Sequence, residues 1–556
     1  MCDLQRMVCR ALTAIVLIAL AARACPAADE SPGQAELDKA LEARIDAKNL
    51  AELAEVVSLC RSALKKGLDD DGLKLANQIL ASTLYQRGEA MAQTVLAANR
   101  PDPRLPQIRT AALVDLKEAV SIDSDLPQAQ LLIARLELLP GGDIAAAGKA
   151  LDAALKSKNA DGPLRSKVYT YRSVLHTKPE DRLADLDLAV QADPSDPQPL
   201  RLRAALKLAL NKPAEAVVDF DAALKLDPEN AATHEARGLA LATQQKWEEA
   251  RESLSKATEL APQSTTALIQ RGRVALLMGD PKAALADAEA ALKTAPGLIA
   301  ALLLRAQSRH GSGDKAGALA DVNLILEKAP DNGDALRTRA MMRVAEGEAD
   351  RAIEDLERLL KLASADKGVM LQLAVLYNGL RKSDRAVELA SKVLEMDEKM
   401  WQAMRVRADA YLNLSKHGDA VKDYEAALKL EPKDAGLLNN LAWVLATSPD
   451  AKVRNGKRAV ELADLACELT DHKAAHILST LAAGHAECGD FEAARKWTKR
   501  ALDAAQTDDE RVSLRKEMAS YEKSQPWRED KSDGPAAETD KSKLKESAAS
   551  KEVKKS

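Results

Sequence analysis

Histidines near the C-terminal end of the chain have a spacing that could bind a metal ion. His472 and His476 are four residues apart, Asp471 precedes the first, and His485 follows further along. Two histidines at this spacing would share one face of a helix and could coordinate zinc. The glutamate that accompanies such a pair in zinc peptidases is missing. We therefore favour a structural role for these histidines, and metal binding is the alternative.

Motifs of catalysis and cofactor binding are absent from the sequence. It contains no GxSxG element, no phosphate-binding glycine loop of the Walker type and no dinucleotide fingerprint. The abundant Asp and Glu residues are expected to form solvated helix faces. The sequence therefore predicts a protein without catalytic residues, metal or cofactor.

A regular pairing of arginine with aspartate is a second pattern with chemical meaning. Each Asp follows its Arg by the same interval, in the pairs Arg203 and Asp219, Arg271 and Asp287, Arg305 and Asp321, Arg339 and Asp355, and Arg407 and Asp423. Leu373 and Leu389 take both places together at one point of this series. Such joint replacement predicts a half-buried ion pair between two helices.

The same pattern has one exception and one distant member. Arg237 is followed by Ser253 at the Asp position, and Arg87 with Asp115 follows the rule across a longer interval. The alternative is that these are exposed charges, each pair worth ~0–1 kcal/mol. In either case their role is structural and not catalytic.

The helices that hold these pairs follow a period of 34 residues. Prolines mark the period at Pro194, Pro228, Pro262, Pro296 and Pro330. Two further steps land on Ser364 and Glu398, and a third lands on Pro432, so the register continues where the proline is missing. A fixed period of this length is typical of a solenoid.

Small residues recur in the same register. Ten positions past the marks stand Ala204, Gly238, Gly272, Ala306, Ala340, Ala374, Ala408 and Ala442. Twenty-two positions past the first seven marks stand Ala216, Ala250, Ala284, Ala318, Ala352, Ala386 and Ala420. Each unit is predicted to be two amphipathic helices, A and B, that approach most closely at these residues. One unit cannot bury its apolar face alone, so the units must stack.

The period, the two small positions and the terminal proline resemble the tetratricopeptide repeat family, in the type exported by bacteria. The resemblance implies a right-handed α-solenoid, that is, a superhelix of helix pairs with a concave groove for ligands. It also implies a protein-interaction scaffold. Family members commonly carry Trp at the fourth position of the unit, where this chain has Leu, His234 or Met. The concave side is therefore expected to be less aromatic than usual.

The whole chain is predicted to be all-α, with about twelve such repeats. The predicted divisions are a signal peptide at 1–27, an N-terminal helical cap at 28–71, degenerate repeats at 72–194 with an insert near 89–107, seven regular repeats at 195–432, two C-terminal repeats at 433–506, a capping helix at 507–525 and a disordered, charged tail at 526–556.

The first 27 residues have the pattern of a secretory signal peptide. Arg6 and Arg10 precede an apolar run at 11–22, and small residues follow up to a cleavage point after Ala27 or Ala28. The chain is therefore expected to be periplasmic or secreted, with no membrane span in its mature part. The alternatives are an uncleaved anchor and a lipoprotein modified at Cys25. The second is disfavoured because that signal needs an aliphatic residue three positions earlier, where Ala22 stands.

The resemblance places ligand contacts on helix A, just before and after the Arg and small-residue positions. The candidate groove residues are Leu239, Ile269, Arg273, Leu303, Arg337, Met341, Leu371, Val375, Arg405 and Trp443. They do not supply the Lys and Asn set with which co-chaperones of the family hold a carboxylate, and Asn439 and Asn440 are the only nearby hint. This mixed surface suits an extended or helical partner segment. The alternative is that its Leu and Ile residues pack in the seam between units.

We therefore expect a non-catalytic adaptor that binds protein or peptide partners in the groove. The net charge of -5, with both signs interspersed, argues against nucleic acid as a partner. A structural component that acts through its convex face and charged tail is the second hypothesis. A metal-binding or enzymatic protein is a remote third.

Overall fold

Every regular element in the described part of the chain is an α-helix. The structure, a computed structural model, describes residues 31–98, 100 and 102–528. Over these ranges 27 helices follow one another, with no strand. The all-α prediction is confirmed. The predicted signal peptide and the tail from residue 529 onward lie outside the described residues. The chain divides after Pro262 into two compact units, which are described separately.

The N-terminal unit contains six helix pairs, in which each helix packs against the next along the chain. Their bounds are α1 Gln34–Asp46, α2 Leu50–Lys66, α3 Asp70–Leu96, α4 Leu105–Ile122, α5 Pro127–Glu137, α6 Ile144–Lys156, α7 Gly162–Ser173, α8 Pro179–Ala192, α9 Pro197–Ala209, α10 Pro213–Leu226, α11 Ala231–Ala242 and α12 Trp247–Leu260. The first helix of a pair (helix A) also contacts helix A of the next pair in most cases. The A helices therefore form one layer of this unit.

The C-terminal unit contains seven pairs and a closing helix. Their bounds are α13 Thr265–Leu277, α14 Pro281–Thr294, α15 Ile299–Gly311, α16 Lys315–Lys328, α17 Gly333–Ala345, α18 Ala349–Leu362, α19 Lys367–Gly379, α20 Ser383–Met396, α21 Trp401–Asn413, α22 His417–Leu430, α23 Ala435–Thr447, α24 Gly456–Leu469, α25 Ala475–Glu487, α26 Phe491–Ala504 and α27 Asp508–Glu522. Here too most of the A helices contact the A helix of the next pair. We call this the A-helix layer of the C-terminal unit.

Side-chain caps fix where most of the A helices begin. Two positions past the marks, the side chains of Asp196, Asn230, Ser264, Asn332, Asp366 and Asp434 accept hydrogen bonds from backbone N–H groups of the first turn. Such caps contribute about 1 kcal/mol each. The B helices end two residues before the mark whether or not it is proline, since α18 ends at Leu362 and α20 at Met396.

The small residues lie where the helices touch. All seven alanines at the second small position are fully buried. A Cβ atom on Gly272 would lie 2.6 Å from Leu304, and one on Gly238 would lie 2.6 Å from Leu254. These distances leave room for hydrogen only, as the predicted close approach of the helices requires.

The beginning of the array contains more helix than the sequence indicates. The region predicted as an N-terminal cap forms a complete pair, α1 and α2, closed by a hydrogen bond from Gly33 N–H to the Gly67 carbonyl at 2.9 Å. The described residues of the two units therefore contain thirteen pairs, where we predicted about twelve repeats. The predicted insert near 89–107 is occupied mainly by the last two turns of α3 and the start of α4.

Two further features bear on function. Within the described ranges, no helix is both long enough and apolar enough to cross a lipid bilayer. The first residues of the predicted disordered tail are packed instead, because Trp527 lies against the closing helix and Arg528 bonds to two residues of the last pairs. The remainder of that predicted tail lies outside the described residues.

Candidate functional site

The five predicted Arg–Asp pairs are all brought together, each with two parallel hydrogen bonds. The distances from Arg Nε and Nη2 to the two carboxylate oxygens run from 2.5 to 3.0 Å. The five Asp residues are 3–8% exposed. Arg87 bonds Asp115 in the same way, and Arg237 bonds Ser253 as the exceptional pair.

Four of these arginines, Arg203, Arg237, Arg339 and Arg407, each join three helices. Arg203 bonds Asp219 on α10 and also reaches back to Asp187 on α8, at 2.6 Å. A second cation, Lys207, contacts the same Asp219 at 2.8 Å. Equivalent backward contacts join Arg237 to Asp221, Arg339 to Asn323 and Arg407 to Ser391. The hydrogen bonds that these arginines donate to the paired carboxylates raise the pKa of Arg203, Arg305 and Arg407. Each of these carboxylates is held by at least one cation, as a structural ion pair requires.

One further pair was missed by the sequence analysis. Arg172 on α7 bonds Asp185 on α8 at 2.9 and 2.6 Å, and these bonds raise the pKa of Arg172. The Asp occupies the regular position of the period, whereas the Arg is displaced toward the end of its helix and lies over the ring of Tyr169. The sequence did offer a signal for this pair, because Asp185 stands at the Asp position of the period although no Arg stands at the matching Arg position.

The pair of leucines replaces this ion pair with apolar packing. Leu373 and Leu389 are 1% and 7% exposed and belong to one hydrophobic cluster of the C-terminal unit. The same position of the repeat therefore accepts either an ion pair or two apolar side chains.

Two of the candidate groove residues are not on the surface. Ile269 and Leu371 are 6% and 5% exposed and pack in the hydrophobic core, so their prediction as ligand contacts is corrected. They stand seven positions past the mark, where the side chain faces the neighbouring helix and an apolar residue is drawn into the seam. Leu303, at the same position, is half-buried against this core.

The other candidates remain at the surface of the A helices. In the C-terminal unit, Met341 and Val375 are exposed, as is Arg273, while Arg337 bonds Asp366 at 3.1 Å. Leu239 is exposed on α11 of the N-terminal unit. The A-helix layer of the C-terminal unit thus presents apolar residues in its middle pairs.

A polar cluster with one tryptophan follows on α21 and α23. We call it the polar end of the A-helix layer and define it as Arg405, Asp409, Asn439, Asn440 and Trp443. Asp409 accepts hydrogen bonds from the Tyr424 hydroxyl and, at 3.4 Å, from Asn440. Burial raises the pKa of the Asp409 carboxyl, although Arg405 opposes the shift.

In the polar end, Asn439 has a side-chain oxygen without a hydrogen-bond partner, and Arg405 contacts an aromatic ring. The Asn439 side-chain oxygen is buried without a hydrogen-bond partner, while its amide donates to Asn440 at 3.3 Å. Arg405 lies over the ring of Trp401, 6.0 Å from its centroid. A buried polar atom without a partner is rare and costs about 1–3 kcal/mol. The cluster can therefore donate to and accept from a bound polar segment, and it has no arrangement of nucleophile and base.

The histidines do not form the predicted helical pair. His472 lies in the loop before α25, with φ 56°, and its ring stacks on Trp497 with the centroids 5.9 Å apart. Since only His476 is on the helix, the two rings do not share a face. In the described ranges, His, Cys, Asp and Glu form no group of three that could hold a metal. Cys60, Cys467 and Cys488 are free thiols.

Parts of the chain match a known protein family. The tetratricopeptide repeat family matches residues 201–265, 371–435 and 405–471. No curated protein matches the sequence.

Several solved structures are similar over part or most of the chain. MamA from Desulfovibrio magneticus RS-1 is 19% identical, over 31% of this chain and 96% of its own, with a TM-score of 0.28. Yeast Tom70 is 15% identical, over 88% and 95%, with a TM-score of 0.33. A chain of the APC/C hetero-tetramer Cut9–Hcn1 is 18% identical, over 74% of this chain and 86% of its own, with a TM-score of 0.37.

Proposed function

Because this chain is a tetratricopeptide repeat protein, we propose that it is a non-catalytic scaffold that holds protein or peptide partners on the A-helix layer of its C-terminal unit. The observation that carries the proposal is the polar end. There an unpartnered Asn439 oxygen, a half-buried Trp443 and Arg405 lie together on successive A helices. Tryptophan and arginine are the residues that most often dominate binding energy at interfaces.

The middle of the same layer adds apolar contacts. Met341 and Val375 are 37% and 40% exposed on α17 and α19, and neither is needed to close the hydrophobic core. A partner segment that covers these side chains and reaches the polar end would combine apolar burial with hydrogen bonds to amides. This combination suits an extended or helical peptide segment.

The proposal is tested by capture of partners with the full chain. Wild-type protein and the double variant Met341→Glu/Val375→Glu would be cross-linked to the proteins of their own compartment, and the products identified. A second variant, Trp443→Ala, addresses the polar end. We expect both variants to lose the same partners, whereas Trp247→Ala, a half-buried tryptophan on α12, should keep them. An unchanged set of partners in both variants would contradict binding on this layer.

A second candidate function is assembly through the B helices. Val218 on α10 is 66% exposed, the largest exposed fraction among the large apolar residues of the described chain, and Leu188 on α8 is 39% exposed. Both lie on B helices of the N-terminal unit. If Val218→Asp abolishes capture while the A-helix variants do not, the convex-face hypothesis is the better one.

We also propose that the chain is exported and acts outside the cytoplasm. The charged start, apolar run and small residues of positions 1–27 support this. N-terminal sequencing of protein from the exported fraction should give a mature chain that begins at Ala28 or Asp29. A mature chain that retains residues 1–27 would contradict cleavage and favour an anchor.

A further inference from the structure

The described chain ends by running back across the A helices of the C-terminal unit. After α27, Gln525 N–H donates to the Ser520 carbonyl of that helix at 3.0 Å. Trp527 then packs in a cluster that includes Ala482 and Ala486 of α25. Arg528 donates to the Ala446 carbonyl of α23 at 3.2 Å. The segment therefore passes α27, α25 and α23 in turn, opposite to the order of the repeats.

The exit point is fixed by a shared carboxylate. Glu487, at the end of α25, accepts from Arg454 at 2.9 Å and also from Arg528. Both arginines are half-buried. The bond from Arg454 positions Glu487, and the segment is held by the charge-assisted bond from Arg528 to that carboxylate together with its bond to the Ala446 carbonyl. The described chain therefore ends at the C-terminal end of α23, with α21 and α19 next along the same direction.

The short turns that follow the next two A helices are basic, unlike the other short turns of the unit. The turns α19–α20 and α21–α22 contain Arg381, Lys382 and Lys416 and no acidic residue. The other four short turns contain acidic residues and no basic residue: Asp280 in α13–α14, Asp314 in α15–α16, Glu346 and Glu348 in α17–α18, and Asp490 in α25–α26. Lys382 and Lys416 are exposed. Lys382 is 3.3 Å from the exposed Asp350, and Lys416 lies over the ring of Tyr411.

The charge of the tail changes sign along its length. Residues 529–540 carry Glu529, Asp530, Asp533, Glu538 and Asp540 against Lys531, which gives -4. Residues 541–556 carry six Lys and two Glu, which gives +4. Twelve extended residues span about 40 Å. Packed helices are roughly 10 Å apart, so the acidic half is long enough to reach both basic turns.

We propose that the acidic stretch 529–540 of the tail docks on the basic turns α19–α20 and α21–α22 of its own chain. The direction of the segment 523–528, the fixed exit at Arg528 and the match of charge together select this occupant. Single exposed ion pairs contribute ~1 kcal/mol or less, but a tethered segment makes several at a high effective concentration. Asp384 and Asp419 begin the following B helices and oppose the docking. Asp419 is 3.0 Å from Lys422.

Docking would place the tail beside the polar end. Trp443 is one helical turn before Ala446, to which Arg528 bonds. A docked tail therefore borders the surface where we place partner binding, and a partner would have to displace it or bind next to it. That regulatory consequence rests on the proposed function, whereas the docking itself does not.

The docking can be tested on the full chain with a carbodiimide, which joins a carboxylate to a neighbouring amine. We expect links from Glu529, Asp530 or Asp533 to Lys382 or Lys416, in a yield that does not change on tenfold dilution. Links that disappear on dilution would show contact between molecules and would overturn the proposal, as would the absence of links to either lysine.

Amide hydrogen exchange gives an independent measurement. In the full chain with Glu529→Gln, Asp530→Asn and Asp533→Asn, exchange at 380–384 and 414–418 should be faster than in wild type, by about threefold or more. The matched control, with Lys541, Lys543 and Lys545 changed to Gln, should leave these turns unchanged. Equal exchange in wild type and the acidic-residue variant would overturn the proposal. Partner capture is a separate readout, so the docking can fail while the scaffold proposal stands.

Discussion

Asp355 holds the guanidinium of Arg339 through two parallel hydrogen bonds of 3.0 and 2.6 Å, although only 3% of the Asp is exposed. Arg343 contacts the same carboxylate at 2.8 Å, so the buried charge has two cations. Desolvation makes such a site costly unless every partner is in place. The geometry predicts that loss of the aspartate alone is more damaging than loss of the whole pair.

The first prediction concerns Asp321, the equivalent residue of an adjacent repeat. Asp321→Ala leaves Arg305 and Arg309 close together without their shared acceptor and should destabilise the protein by about 3 kcal/mol. Thermal and urea denaturation, followed by circular dichroism, measure the loss.

The control for this variant is Asp331→Ala. Asp331 is 63% exposed and its pair with Arg358 is at the surface, so its removal should cost less than about 1 kcal/mol. Equal melting temperatures for the two variants would show that the buried pair is worth no more than a surface pair.

The second prediction is that Arg305→Leu/Asp321→Leu recovers most of the stability lost in Asp321→Ala. Leu373 and Leu389 occupy these places in another repeat and are buried there. Arg309 would keep Asp314, 3.7 Å away, as a partner. If the double variant melts below Asp321→Ala, the position requires charge in its local context and the leucine pair depends on other residues of its own repeat.

The third prediction concerns the close approach of helices at Gly272. Gly272→Leu should destabilise by about 1–3 kcal/mol, because its Cβ alone would lie 2.6 Å from Leu304. Gly272→Ala should cost less, since alanine occupies this position in most repeats. Gly297→Leu is the control, because nothing lies within 4 Å of a Cβ atom there. Equal urea midpoints for Gly272→Leu and Gly297→Leu would argue against tight packing.

The fourth prediction concerns pH and the closing helix. Glu517 on α27 is 4% exposed and accepts a hydrogen bond from Ser479 at 2.7 Å, and burial raises its pKa from 4.5 to about 7. The folded state holds the Glu517 proton more tightly than the unfolded state does. Protonation of Glu517 therefore stabilises the folded state fully below about pH 4.5, and this stabilisation is lost as the pH rises through about 7. Docking of α27 should therefore weaken by about 3 kcal/mol between pH 4.5 and 8.

Hydrogen exchange of residues 508–522, corrected for the intrinsic pH dependence, measures this effect. Glu517→Gln should remove the dependence and protect α27 at pH 8, whereas Glu522→Gln, at an exposed position, should keep it. A Glu517→Gln variant with the same pH profile as wild type would show that another group is responsible.

The period of the sequence predicted the helix pairs because it reflects packing that every unit must repeat. Ala318 and Gly272 are required wherever two helices approach, so they recur in register and can be read without a structure. The caps two positions past the marks, such as Asn332, carried an equally regular signal that defines the starts of the helices.

The surface was harder to predict because one position serves two purposes. Leu371 and Arg405 stand at the same place in their repeats, yet the first is buried and the second is half-exposed. An apolar side chain there turns into the seam, while a charged one must keep its guanidinium in water. Glu517 gave no signal at all, since a glutamate in a charged helix reads as solvated until the packing of α27 is known.

The contacts that Arg203, Arg339 and Arg407 make with the preceding helix have a consequence for how the number of repeats in such a chain can change. The acceptor on the preceding helix is a carboxylate oxygen at Asp187, an amide oxygen at Asn323 and a hydroxyl oxygen at Ser391, and the guanidinium donates to all three. The contact between successive repeats therefore forms with different acceptor residues on the preceding helix. A block of 34 residues could be duplicated or removed as one segment, and the arginine at the new junction would still donate a hydrogen bond to an oxygen of the preceding helix.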